Sequence, residues 1–232
     1  MKNFEPHILY EDNHLIVINK PAGMLVQGDK TGDMPLNELM KLYIKEKYNK
    51  PGEVFLGVTH RIDRPVSGVL LFARTSKALA RLNEMFRKKE FQKTYWAVVG
   101  NRPAGENGTL EHYLIKDQVR NKSKAYKTEK KNTKHAVLNY TLLQASQKYF
   151  LLEILPQTGR HHQIRVQLAS IQCPIKGDIK YGFNRTNKDA SIHLHARKIS
   201  FTHPVKKTPI VITASVPQHD ALWKVFEEQE LK

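Results

Sequence analysis

The chain has 232 residues, 40% of them hydrophobic, enough to bury one large core or two closely joined lobes. Its 38 Lys and Arg against 22 Asp and Glu leave a formal charge of +16, which favours a nucleic acid as partner, because cationic side chains neutralise phosphates and release counterions. One cysteine, Cys173, excludes an intrachain disulfide and a Cys-rich zinc site. The lack of an apolar signal core, and of any run near the ~20 apolar residues of a membrane helix, points away from membranes to a cytoplasmic protein.

In chain order, His7–Asp12 and Leu15–Asn19 read as two short strands about the turn Glu11-Asp12-Asn13-His14. Pro21 and Gly23 then force a loop with Lys20 at its mouth. Leu36, Leu39, Met40, Tyr43 and Ile44 keep helical spacing over Pro35–Tyr48, and Asn49-Lys50-Pro51-Gly52 stops that helix. Val54–Val58 leads into the stretch His60–Thr75, discussed below. Ser76 is placed to cap a helix running to Lys89, with Leu79, Leu82, Met85 and Phe86 on its core face. Gln92–Gly100 is strongly β-like, and Gly108–Ile115 is a further strand.

Lys116–His135 is rich in lysine and poor in large apolar residues. It reads either as a basic hairpin over a polyanion or as a solvated loop. Ala136–Ala145 and Tyr149–Leu155 alternate like paired strands, Thr158-Gly159 breaks the second, and helical spacing resumes from His162. Arg160 and Arg165 near that helix start oppose its dipole, so each is expected to have a specific acidic or phosphate partner. His193–Phe201 and Ile210–Ala214 form a final strand pair, and Gln218–Gln229 a closing helix. The whole indicates an α+β fold with a mixed, mostly antiparallel sheet and flanking helices. No compositional break separates domains, so one domain over residues 1–232 is expected. No apolar helix face suggests self-association, and a monomer is expected.

The stretch His60–Thr75 has two unlike halves. Val69–Ala73 is an unbroken apolar run that reads as a buried strand. Before it stand His60-Arg61-Ile62-Asp63-Arg64-Pro65 and a Ser67-Gly68 turn signal, so a single carboxylate lies between two guanidinium groups on a loop held by a core strand. Functional acids are often placed this way; a surface turn with a local Asp–Arg pair fits equally.

The other chemistries are weaker. Among eleven histidines, adjacent His161 and His162 cannot both face one ion from a helix. His193 and His195 share a strand face, but neither pair has an acid at a recognised spacing, so no metal is expected. Ser67 lacks a nucleophile elbow, and neither Gly32-Asp33 nor Gly177-Asp178 is a phosphate-loop fingerprint. Asp63 remains, and an ionised carboxylate serves as nucleophile or electrostatic stabiliser. A metal-free, one-carboxylate enzyme of nucleic acids has few reactions open to it, attack at a glycosidic carbon or a pyrimidine ring among them.

On its motifs the chain resembles the RluA family of RNA pseudouridine synthases. The residues carrying the resemblance are His60-Arg61-Ile62-Asp63-Arg64 with Ser67-Gly68 and Leu70-Leu71-Phe72-Ala73, Asn19-Lys20-Pro21-Ala22-Gly23, and Lys93-Thr94-Tyr95 with Ala97. Thr158 to Arg165, Gly177-Asp178 with Tyr181-Gly182, and Leu194-His195-Ala196 with Phe201 and His203-Pro204 complete a collinear series over roughly residues 8 to 215. The resemblance implies the pseudouridine synthase fold with a central cleft, and a cofactor-free isomerisation of a specific uridine to pseudouridine in rRNA or tRNA. It implies that Asp63 attacks the target nucleotide, Tyr95 stacks on the base and helps remove the C5 proton, and Arg165 ion-pairs with the aspartate. Ile164 would wall the base, and Arg61 would fill the gap left by the flipped nucleotide. Arg64, Lys20 and Arg160 would contact RNA. Val66 stands where the family often has Thr, and Gln167 where it often has His. The pattern begins too near Met1 for the small N-terminal S4 domain of many relatives, so RNA affinity is expected from the basic surface of the catalytic domain.

Overall fold

The computed structural model describes residues 5–29 and 32–230. The elements run β1 (Ile8–Glu11), β2 (Leu15–Lys20), α1 (Leu36–Lys47), β3 (Gly57–Val58), β4 (Ser67–Ala73) and α2 (Ser76–Arg87). Then follow β5 (Gln92–Val99), β6 (Asn107–Asp117), β7 (Lys122–Tyr126), β8 (Lys134–Ala145) and β9 (Phe150–Pro156). Last come α3 (Gln163–Ser170), a single 3-10 turn (Ile179–Tyr181), β10 (Leu194–Thr202), β11 (Pro209–Thr213) and α4 (Ala221–Glu230). The fold is α+β, and every strand register described is antiparallel. The chain divides into two compact units, Met1–Gln92 with Ala196–Asp220, and Lys93–His195 with Ala221–Lys232.

In the first unit the strands lie in the order β1-β2-β4-β10, with β3 on β4 and β11 on β10. β4 is buried along its whole length, which is why its sequence is apolar without alternation. Its Val69, Leu71 and Ala73 pack with Leu15 and Val17 of β2 and with Ala78, Leu82 and Met85 of α2. Two sequence readings shift here. The Ser67-Gly68 pair is not a turn but the start of β4: Gly68 has φ +115°, and a Cβ there would strike the Ala196 carbonyl of β10. The turn lies earlier, closed by Val66 N–H donating to the Asp63 carbonyl at 3.0 Å. The cap of α2 is Thr75 rather than Ser76, its hydroxyl accepting from Ala78 N–H at 3.1 Å.

The second unit is an antiparallel sheet in the order β5-β9-β8-β6-β7. The basic segment is a hairpin: β7 pairs with β6 from Tyr113 opposite Tyr126 to Asp117 opposite Lys122. One face of that hairpin packs on α3, with Leu114, Ala136, Val166 and Tyr181 forming a buried cluster. No described helix is long and apolar enough to cross a membrane.

Candidate active site

The loop carrying Asp63 is held by its backbone. Thr59 Oγ1 donates to the Leu71 carbonyl at 2.6 Å, and Leu71 N–H donates to His60 Nε2 at 3.2 Å, so the loop's entry is fastened to the middle of β4. At Arg64 the loop meets the turn after β2: Gly23 N–H donates to the Arg64 carbonyl at 2.8 Å, and Arg64 Nε returns a bond to the Gly23 carbonyl at 2.9 Å. Arg64 also pairs with Asp33 at 2.8 Å.

Between these two loops lies Lys20. The sequence places it at a loop mouth, as a contact for RNA; the structure corrects this. The side chain is fully buried, and its Nζ donates to the carbonyls of Pro21 and Met24 at 2.9 Å each and of Arg64 at 3.2 Å. Three converging carbonyls match the three N–H bonds of an ammonium, so the lysine acts as a staple rather than a phosphate contact. Burial pulls its pKa down to about 7, against which the negative charge of Asp63 holds it up. Asp63 itself is half-buried, and Arg61 is exposed.

In the second unit Tyr95 is half-buried on β5, in register with Ile154 of β9. Arg165 and Ile164 stand in α3, where every residue from Gln163 to Leu168 is buried. The approach to α3 is shaped by Gln163: its Oε1 accepts from Thr158 Oγ1 at 2.8 Å and Arg160 N–H at 2.9 Å, and its Nε2 donates to the Val137 carbonyl at 3.0 Å. His162 then takes a left-handed conformation, φ 52°. The Thr158-to-Gln163 motif is thus first a device for aiming a helix.

Arg165, for which the dipole argument expects an acidic or phosphate partner and the resemblance names Asp63, is seen to pair with Asp178. Nε donates to Oδ2 at 2.7 Å and Nη2 to Oδ1 at 2.8 Å, a bidentate pair with side chains only 6% and 1% exposed. The guanidinium lies over the Tyr181 ring, 5.1 Å from its centroid. Tyr181 OH accepts from Ser123 N–H at 2.7 Å and lies 2.8 Å from His162 Nδ1. Burial, then the charge of Arg165, holds His162 far below its usual pKa; a neutral imidazole can accept the tyrosine's proton at Nδ1. Arg160 is exposed and donates from Nε to the His135 carbonyl at 3.0 Å, not to an acid.

The structure therefore groups Lys20, Asp63 and Arg64 in one unit, and Ile164 and Arg165 with Asp178 and Tyr181 in the other. Asp178 and Tyr181 belong to a matched motif, Gly177-Asp178 with Tyr181-Gly182, but their role was not legible. The signal available was an arginine that needed an acid, and an acid 13 positions further on. Among the described residues no three His, Cys, Asp or Glu side chains are grouped to hold a metal ion.

A family described as RNA pseudouridylate synthase matches residues 14–170. The chain is 35% identical to ribosomal large subunit pseudouridine synthase C of Buchnera aphidicola, over 91% of this chain and 67% of that one. It is 32% identical to tRNA pseudouridine synthase C of Vibrio cholerae, over 94% and 92% of the two chains. The solved structure of human RNA pseudouridylate synthase domain containing 4 superposes with a TM-score of 0.79 at 25% identity, covering 96% of this chain and 93% of that one. The chain belongs to the RNA pseudouridylate synthase family, isomerases that convert uridine in RNA to pseudouridine.

Proposed function

We propose that this protein isomerises a specific uridine of ribosomal or transfer RNA, with Asp63 as the reacting carboxylate. The reaction breaks the N1–C1′ bond, turns the uracil, joins C5 to C1′, releases the C5 proton to solvent and leaves N1 carrying a proton taken up in its place. Substrate and product have the same composition, so no redox partner or transferred group is required. The observation that carries the assignment is the fixing of the Asp63 loop through main-chain atoms, by the buried Lys20 ammonium and the Gly23–Arg64 pair. A loop held by its backbone keeps its one acid in place.

The target base must leave its stack to be reached, at a cost of a few kcal/mol. Tyr95 offers an aromatic face against the extruded base, Ile164 an apolar wall, and Arg165 a guanidinium whose plane Asp178 has fixed. Arg61 and Arg64 contact the RNA around the vacated position. The relatives' names divide between ribosomal and transfer RNA, and this chain acts on one of those two classes.

The test uses purified protein and transcripts of both classes carrying tritium at uridine C5. Tritium release by the wild type in the presence of EDTA, with none from Asp63→Asn, is the expected result. Chain cleavage abolished by EDTA would indicate a metal-dependent nuclease and defeat the proposal.

A further inference from the structure

The outer face of the β8–β6–β7 hairpin sheet carries a row of rings that the reaction does not use. Tyr113 of β6 is in register with Tyr126 of β7 on one side and with His135 of β8 on the other. Directly opposed residues share a face, so the three rings stand side by side across three strands. Their neighbours in sequence, Leu114, Ala125 and Ala136, belong to the opposite face and pack against α3. The rings are not core: Tyr113 and Tyr126 are half-buried, and the His135 side chain is 46% exposed. Tyr113 and His135 lie 5.4 Å apart with planes tilted by 49°.

Cations edge this row. The Lys130 ammonium sits over the Tyr126 ring, 4.2 Å from its centroid. Lys124 lies two residues before Tyr126 and so on the same face, exposed. Arg160 is tied to the His135 carbonyl. Two acids stand near them: Glu111, 2.6 Å from His135, and Asp117, four positions beyond Tyr113 on the same strand face, whose charge acts on Lys124. Half-exposed rings in a row with ammonium groups at their edge match the two parts of an unpaired nucleotide, a base with a free π-face and a phosphate. A duplex offers the phosphates but not the base faces.

We propose that this face binds unpaired nucleotides flanking the target uridine, stacking their bases on Tyr113, His135 and Tyr126 while Lys124 and Lys130 meet the phosphates. The proposal rests on the reading of the protein as an RNA-modifying enzyme, and it assigns a second contact surface apart from the residues placed at the target base. A base arriving on Tyr126 displaces the Lys130 ammonium from the ring towards the adjoining phosphate.

The experiment titrates full-length protein with a fluorescein-labelled single-stranded RNA of twelve nucleotides and with the same sequence as a duplex. Tyr113→Leu and Tyr126→Leu each weaken single-strand binding about tenfold and leave duplex binding within about twofold; Tyr113→Phe and Tyr126→Phe bind as the wild type does. Lys124→Ala weakens binding and flattens its salt dependence by about one ion. Unchanged single-strand binding by the Leu variants, or equal losses with Phe, overturns the proposal. Independently of any variant, ultraviolet cross-linking of 4-thiouridine-labelled single strands to the wild type should place adducts on the Tyr113 or Tyr126 peptides; adducts confined to other peptides overturn it. The outcomes separate from the catalytic reading. Pseudouridine formation by Leu variants that bind like the wild type defeats this proposal alone. Ring-dependent binding by a wild type that forms no pseudouridine supports the surface and defeats the enzymatic reading.

Discussion

The two units position their candidate catalytic groups by opposite means. In the first, the Asp63 loop is held through the main chain, by a buried ammonium on three carbonyls and a reciprocal Gly23–Arg64 pair. In the second, Arg165 is held through its own guanidinium, by Asp178 along one edge and the Tyr181 ring on one face. A main-chain grip sets the acid's position through the loop that carries it. A side-chain grip fixes a plane and half-neutralises a charge, which suits a group that orients rather than reacts.

The comparison breaks most visibly at Asp63 itself. Asp63→Asn should lower turnover at least about a thousandfold, because the neutral amide is no nucleophile, while leaving the thermal midpoint within about 2 °C. Parallel loss of activity and of melting temperature would make Asp63 structural.

Asp178→Asn should do the reverse, lowering stability by about 3 kcal/mol because a buried guanidinium loses its counter-charge. Urea unfolding measures it, and a loss under about 1 kcal/mol would show that the pair holds little. Lys20→Met takes a donor from the carbonyls of Pro21, Met24 and Arg64, of which the last keeps Gly23 N–H, and should cost about 2–3 kcal/mol, with activity falling further than the unfolded fraction explains. Full activity in the folded protein would mean that the staple does not set the Asp63 loop.

The smallest expected effects are pH slopes, and they separate the two grips. Lys20 is depressed to about 7 from its ordinary 10.5. The unfolded chain therefore binds the extra proton between those values, and stability should rise with pH across that window. His162 is depressed below its ordinary 6.5. Its contribution is complete above 6.5 and is lost as pH falls beneath it, since protonation then favours the unfolded chain. Unfolding free energies of wild type and His162→Gln should accordingly converge as pH drops below 6.5. Curves that stay parallel would exclude His162 as the source.

Much of this was legible in the sequence. Strand positions followed from apolar runs, and the unfavourable place of Arg165 near a helix start signalled a partner without naming it. What escaped depends on distant segments meeting. Gly68 resembles a turn residue until β10 brings the Ala196 carbonyl against it. Lys20 resembles a surface cation until Arg64, 44 positions on, supplies its third carbonyl. Asp178 has no meaning until Arg165 reaches it. The division into two units leaves no trace in composition, because each unit is assembled from two separated stretches of chain.

The most direct test of the central claim is pseudouridine mapping of total RNA, by carbodiimide modification and primer extension, in cells carrying the wild-type protein, Asp63→Asn or none. One site present with the wild type and missing in both other strains is the expected result. A site that persists with Asp63→Asn but disappears without the protein would contradict the assignment of Asp63 as the reacting carboxylate.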